Sequence, residues 1–363
     1  MDLKLKIIDR YIIKKFITTF FIALLLFIGI VIIFDISEKI DDFVKNEAPI
    51  SEIIFGYYIN FIPYFMNMFS SLFVFITVIF FTSRMAANSE IIAILSGGIS
   101  FKRLLVPYMI SAALIAVLSL CLNLFIIPRS NVHRIAFEEK YVSTAKLMAG
   151  HNVHYQINPG QFVYVESFSS WNNTAYRITL ETIENNKLVS KLSAESAVWD
   201  STSGSWRMRQ YFIRDYTEGI QDRVHVGEQL DTVINLTLDD FYRNEETVES
   251  IPIKALNELI DTQIMRGDKT VMFAQIEKHT RYALPFSAFI LTLMGVCLTS
   301  KKKRGGIGWN IAIGIALAFL YILFLKFSQM FVYTGTLPPI VAIWIPNVVY
   351  TLIAAYLFKI APK

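Results

Sequence analysis

Phe16-Ile-Thr-Thr-Phe-Phe-Ile-Ala-Leu-Leu-Leu-Phe-Ile-Gly-Ile-Val-Ile-Ile-Phe34 runs for 19 residues without a charge. A helix needs about 20 apolar residues to cross a hydrocarbon core of about 30 Å. Five more uncharged windows follow, at 53–83, 104–128, 282–300, 305–325 and 327–358. Lys326 alone separates the last two, and the turn comes later, at Tyr333-Thr-Gly-Thr-Leu-Pro-Pro339. The fifth helix therefore spans about 308 to 331 and carries Lys326. The pattern predicts six membrane helices. The lysines and arginine before the first window suggest a signal peptide, but the apolar stretch is too long and no small-residue cleavage site follows, so a retained helix is expected.

Composition agrees. Hydrophobic residues make up 54% of the 363, and charged residues 18%, where soluble proteins carry about a quarter charged. These values exclude a disordered chain, a nucleic-acid-binding protein and an ordinary cytosolic enzyme. Six spans put the amino-terminal segment, the 83–103 loop, 301–304 and the carboxyl-terminal tail on one side. Together they hold fourteen Lys and Arg against Asp2, Asp9 and Glu90. The bias toward Lys and Arg predicts that this side, with both termini, is cytoplasmic. The block 129–281 then lies outside, with 17 basic and 21 acidic residues. Neither Cys121 nor Cys297 lies in that block, so it needs a core of its own rather than disulfides.

Within the block the apolar period changes to two. Gln161-Phe-Val-Tyr-Val-Glu166, Tyr176-Arg-Ile-Thr-Leu180, Trp206-Arg-Met-Arg-Gln-Tyr-Phe-Ile-Arg214 and Arg223-Val-His-Val226 read as half-buried strands. Turn signals at Asn158-Pro-Gly160, Trp171-Asn-Asn173, Asn185-Asn186, Ser203-Gly204 and Glu218-Gly219 divide them. Six to eight such strands suggest an antiparallel sandwich or jelly roll. An amphipathic helix on Ile253, Leu256, Ile260 and Ile264 should follow and end at Arg266-Gly267, with a polar helix leading into the fourth span. The fold class is thus a polytopic helical membrane protein with an inserted all-β domain. Its parts are three spans in 1–128, a β domain with its trailing helix in 129–270, and three spans in 271–363.

Chemistry is sparse. A strand start at His151-x-x-His154 places the two rings on opposite faces, which disfavours a shared metal. His279 suits an interfacial anchor. No nucleophile elbow, His-Glu-x-x-His or phosphate-cradling loop occurs, so no cofactor is expected and any ATP hydrolysis belongs to another subunit. The loop after the second span is more informative. Asn88-Ser-Glu-Ile-Ile-Ala-Ile-Leu-Ser-Gly-Gly98 reads as a short helix near 89–98, capped by Ser89 or Asn88 and stopped by Gly97. Ile91, Ile92, Ile94 and Leu95 would lie on a membrane surface or in a partner's groove.

Three stretches resemble one family. Asp9-Arg-Tyr-Ile12, Ser89-Glu-Ile-Ile-Ala-Ile-Leu-Ser-Gly-Gly-Ile-Ser100 and Gly335-Thr-Leu-Pro-Pro-Ile-Val-Ala-Ile-Trp-Ile-Pro-Asn347 resemble the YjgP/YjgQ permeases, the LptF and LptG subunits of the lipopolysaccharide export transporter. The Asp-Arg-Tyr start and Phe34-Asp-Ile-Ser-Glu-Lys-Ile-Asp-Asp-Phe43 look more like LptG. The resemblance implies a non-catalytic subunit paired with an LptF-like sister on a cytoplasmic LptB-like ATPase. It also implies an LptC/LptA-like periplasmic jelly-roll bridge that receives lipopolysaccharide. Glu90, Ile91, Ile92, Ile94 and Leu95 would couple to the ATPase. Lys39, Lys326, Phe27, Ile30, Phe327 and Phe331 would meet the lipid, although the outer end of span one is net acidic where family members often carry basic residues. An envelope scaffold and a membrane-embedded lipid-modifying enzyme are the competing readings.

Overall fold

The structure, a computed structural model, describes residues 6–142, 151–169, 171–216, 222–242, 245–268, 270–300 and 306–361. The basic run 301–304 and the turn at Glu218-Gly219 lie outside these. In chain order the helices are α1 (Ile7–Lys45), α2 (Ile59–Ala87), α3 (Glu90–Ser96), α4 (Phe101–Cys121) and α5 (Ile127–Tyr141). Strands β1 (His151–Asn158), β2 (Gln161–Ser169), β3 (Thr174–Glu184), β4 (Lys187–Asp200), β5 (Ser205–Asp215) and β6 (Arg223–Thr232) come next. Then follow α6 (Asp239–Tyr242), α7 (Glu245–Glu249), α8 (Ile253–Arg266), α9 (Val271–Thr299), α10 (Gly306–Tyr333) and α11 (Pro339–Ile360). Two compact units result. One holds Met1–Phe137, Glu249–Ile253 and Gln275–Lys363, the other Glu138–Val248 and Lys254–Ala274.

In the first unit, six helices among the described residues are long and apolar enough to cross a membrane. The first span outruns its uncharged window. Asp35 and Lys39 pair one helical turn apart at 3.1 Å, and the helix continues through this polar stretch to Lys45. Its 39 residues reach about 58 Å at 1.5 Å per residue. The third span likewise runs past Pro128, because α4 and α5 are joined through a π-helical stretch at Leu122–Ile126.

Two prolines shape how these spans meet. Pro285 in α9 has no N–H for the carbonyl of Arg281, and Pro346 in α11 none for Ala342. In hydrocarbon such a carbonyl must find another donor. Asn123 Nδ2 donates to Arg281 O at 3.3 Å, and Ser328 Oγ donates to Ala342 O. Asn123 also accepts from Asn67 Nδ2 at 2.7 Å, and Ser119 donates to Asn67 Oδ1 at 2.6 Å. Asn347 donates to Ala283 O at 3.0 Å and accepts from Tyr321 at 2.8 Å. The side chains that fill these vacancies therefore come from neighbouring spans.

The short segment Glu249–Ile253 is fastened into the same unit. Arg281, 1% exposed, donates to Ile251 O at 2.9 Å, Glu249 O at 3.2 Å and the Glu277 carboxylate at 2.6 Å. Tyr64 and Asn131 donate to the Glu249 carboxylate at 3.1 and 3.4 Å.

The inserted β domain is a six-stranded antiparallel sheet in sequence order, a meander. Tight turns set its register. Gly160 has φ +76°, and a Cβ there would sit 2.6 Å from Ile183 O, so only glycine fits. Asn185 and Asn186 take φ 51° and 61°, the paired left-handed geometry of a two-residue hairpin. The core gathers Val163, Val165, Ile178, Ala197 and Met208 around Trp206, which is fully buried and donates to Leu236 O at 2.8 Å. Phe241 of α6 stacks on Phe168 at 4.3 Å. On α8 the buried stripe is Leu256, Ile260 and Gln263; Ile264, expected inside, is 56% exposed. Gly267 ends that helix at φ +65°. The polar helix expected before the fourth span is continuous with it as α9.

Helix α2 is the hub of the first unit, packing against α1, α4 and α10. It also meets α9 closely. A Cβ on Gly295 of α9 would lie 2.8 Å from Val78 Cγ1 and 3.3 Å from the Phe75 ring. Small residues permit such approaches between spans. Gly295→Val should therefore destabilise the detergent-solubilised protein by about 1–3 kcal/mol through overpacking. Gly29→Val, where nothing lies within 4 Å, should leave the melting temperature within a degree or two. Equal melting temperatures for the two variants would refute the close α2–α9 packing.

Candidate functional site

Helix α3 forms between two left-handed residues. Ser89 has φ 61° and makes no side-chain cap, so the expected Ser89 cap is absent. Asn88 Nδ2 instead donates to Glu90 Oε1 at 3.2 Å. At the other end Gly98, rather than Gly97, takes the left-handed conformation at φ +81°. The Ile99 N–H then reaches back to Ile94 O, which closes the helix.

The four apolar residues of α3 divide by role. Ile91 is 1% exposed and sits in one core with Ile12 and Phe16 of α1 and Phe101 and Leu104 of α4. Ile94 and Leu95 are half-buried against that core. Ile92, 49% exposed, faces outward beside exposed Ala93 and Ser96. Three residues hold the helix down and one presents an apolar side chain to whatever covers it.

Charged contacts bind the start of α1 to the same place. Arg103 of α4 donates to Asp9 through two nitrogens, at 2.7 and 2.5 Å, and the Lys6 backbone N–H adds a third bond at 2.8 Å. The Asp9 side chain is 4% exposed while that of Arg103 is 35% exposed, so this bidentate pair is only partly shielded from water. Tyr11 OH donates to Glu90 Oε2 at 3.3 Å. Asp9-Arg-Tyr stands out in the sequence, but Arg103 is 94 positions away, and no local signal points to it.

The six lipid-contact candidates do not gather into one site. Lys39 pairs with Asp35 and donates to Tyr57 OH, while Tyr57 and Tyr58 donate to Asp35 at 3.1 and 3.0 Å. Its charge is committed inside the chain. Phe27 packs between Phe69 and Phe73, with ring centroids 4.8 and 5.0 Å away. Ile30 on α1 and Lys326, Phe327 and Phe331 on α10 lie on exposed faces. Those two helices are thinly packed. In their most apolar windows 22% and 28% of residues are buried, against 61% in the span containing α2 and 67% in α9. Apolar faces of this extent need lipid or another protein against them.

Six helices long and apolar enough to cross a membrane, interrupted by an antiparallel β domain, define a multi-pass membrane protein. The lipopolysaccharide export system permease LptF/LptG family model matches residues 10–360, and the chain belongs to that family. It is a lipopolysaccharide export permease of the inner membrane and part of an export complex with other Lpt components. The match does not separate LptF from LptG. No curated protein sequence matches the chain.

The two isoleucines make separable expectations. Ile91→Ala should cost about 2–5 kcal/mol by opening a cavity in the α1–α3–α4 core. Ile92→Ala should cost less than about 0.5 kcal/mol. Thermal unfolding in detergent compares them, and equal losses would contradict the burial of Ile91.

Proposed function

We propose that this chain is the LptG-like half of an ATP-driven lipopolysaccharide exporter. It pairs with an LptF-like sister of six spans, and the two rest on LptB-like cytoplasmic ATPases. Both termini face the cytoplasm and the β domain faces the periplasm, consistent with fourteen basic residues against three acidic ones on the terminal side. Lipopolysaccharide enters from the outer leaflet of the inner membrane. ATP binding shifts α3, closes the cavity and drives the lipid to an LptC/LptA-like bridge, with the β domain as the transfer module. The β domain joins that bridge by strand addition at a sheet edge.

The observation that carries this reading is the helix α3, fixed by Ile91, Ile94 and Leu95 while Ile92 points away. Docking of such a side chain in an apolar groove is a helix-in-groove contact. The exposed faces of α1 and α10 supply the lipid path, with Ile30, Phe327 and Phe331 against acyl chains. Lys326 is 18 residues beyond Gly308, so about 27 Å along the helix, at a depth suited to a lipid phosphate. Lys39 and Phe27 serve as supports behind that path.

Ile92→Asp should leave the chain folded, because the position is exposed, and should abolish copurification of the ATPase and lipopolysaccharide release. Normal assembly and release in that variant would defeat the docking role of α3. Lys326→Ala should reduce copurified lipopolysaccharide about two- to fivefold, since an exposed charge contact is worth less than about 1 kcal/mol. Quantitative mass spectrometry of the purified complex reads this, and an unchanged lipid content would remove Lys326 from the path.

A further inference from the structure

Helix α3 and the first span are joined by contacts of unequal kind. Between Ile12, Phe16, Ile91, Phe101 and Leu104 the contact is apolar, and apolar contact has no directional preference, so such surfaces can slide. The Asp9–Arg103 pair is different. Its two parallel bonds fix orientation as well as distance. Moving α1 away from α4 would break both bonds to a carboxylate that is 4% exposed, held by a guanidinium that is 35% exposed, which disfavours separation. A second bond, from Tyr11 to Glu90, holds α1 to the first residue of α3. The start of α1 is thus attached on both sides of the α3 loop, at Glu90 and at Arg103.

Beyond that attachment α1 packs along α2 and α4 through Phe20, Leu24 and Phe27. Only 22% of its apolar window is buried, and its 39 residues form one uninterrupted helix. Because the helix is uninterrupted, a displacement at its first turns is carried along its length.

We infer that Asp9 is a positioning residue for transport: through Arg103 it makes the first span follow α3. This rests on the reading of α3 as the ATPase-docking helix. The competing role is purely local, because Asp9 also accepts the Lys6 N–H and so caps the start of α1.

The experiment uses the complete complex of this chain, its sister subunit and the ATPase in proteoliposomes loaded with lipopolysaccharide. Lipid released per ATP hydrolysed is the readout. Asp9→Asn keeps a capping oxygen but loses the ion pair, and it should lower that ratio at least about fivefold, the low end of ordinary coupling between sites, while ATP hydrolysis continues. The reciprocal exchange Asp9→Arg with Arg103→Asp restores the pair without the cap, and it should recover most of the ratio. An unchanged ratio in Asp9→Asn, or no recovery in the exchange, overturns the inference and leaves the transport reading standing. Wild-type vesicles that release no lipid with ATP overturn both. If Asp9→Asn does not assemble, Arg103→Lys is read in its place. It keeps the charge without the two-pronged geometry, so a lowered ratio supports the inference and an unchanged one overturns it.

Discussion

A backbone carbonyl left without a donor inside a membrane is the constraint on which the helical unit is built. Pro285 and Pro346 each create one, and the donors that answer them, Asn123 and Ser328, come from other spans. A polar side chain in this position does two things at once. It satisfies a group that hydrocarbon cannot, and it ties two helices together where apolar attraction between them is weak. Asn67, Ser119, Tyr321 and Asn347 extend the same links. With glycine at the closest α2–α9 approach, they give the unit a firm centre. The first and fifth spans have the smallest buried share of their apolar windows, 22% and 28%.

The β unit meets the opposite condition. With no cysteine in it, stability comes from a core gathered on one sheet. Each strand pairs with the next in sequence, so its contacts are largely local and its turns govern register. Leu236 and Phe241, beyond the last strand, cover the Trp206 end of that core.

Burial decides which side chains α3 presents. A helix of seven residues is too short to stand alone, and Ile91, Ile94 and Leu95 are the reason it persists. That leaves a single apolar side chain and a small exposed surface for recognition. A compact element of this kind would suit the docking proposed for it, because three of its side chains are held against the spans.

Hydropathy alone determined the six spans, and the change of period from 3.6 to two marked the inserted sheet, since both follow from which side chains must avoid water. The motif residues 89–100 marked α3 equally well. Strand β4 was missed because Ser193, Ala194, Ser196 and Ala197 alternate small residues that carry little hydropathy contrast. The length of α1 beyond Phe34 was missed because charged residues ended the apolar window, although the helix continues through Asp35 and Lys39. What only the tertiary structure decided is what each of these side chains touches. Lys39 and Phe27 are engaged within the chain, Ile91 is an anchor while Ile92 is exposed, and Asp9 finds Arg103 across 94 residues. Composition and spacing report how polar a residue is and how often it recurs, but an ion pair or a buried face depends on which helices come together, and that is set by the packing of the whole unit.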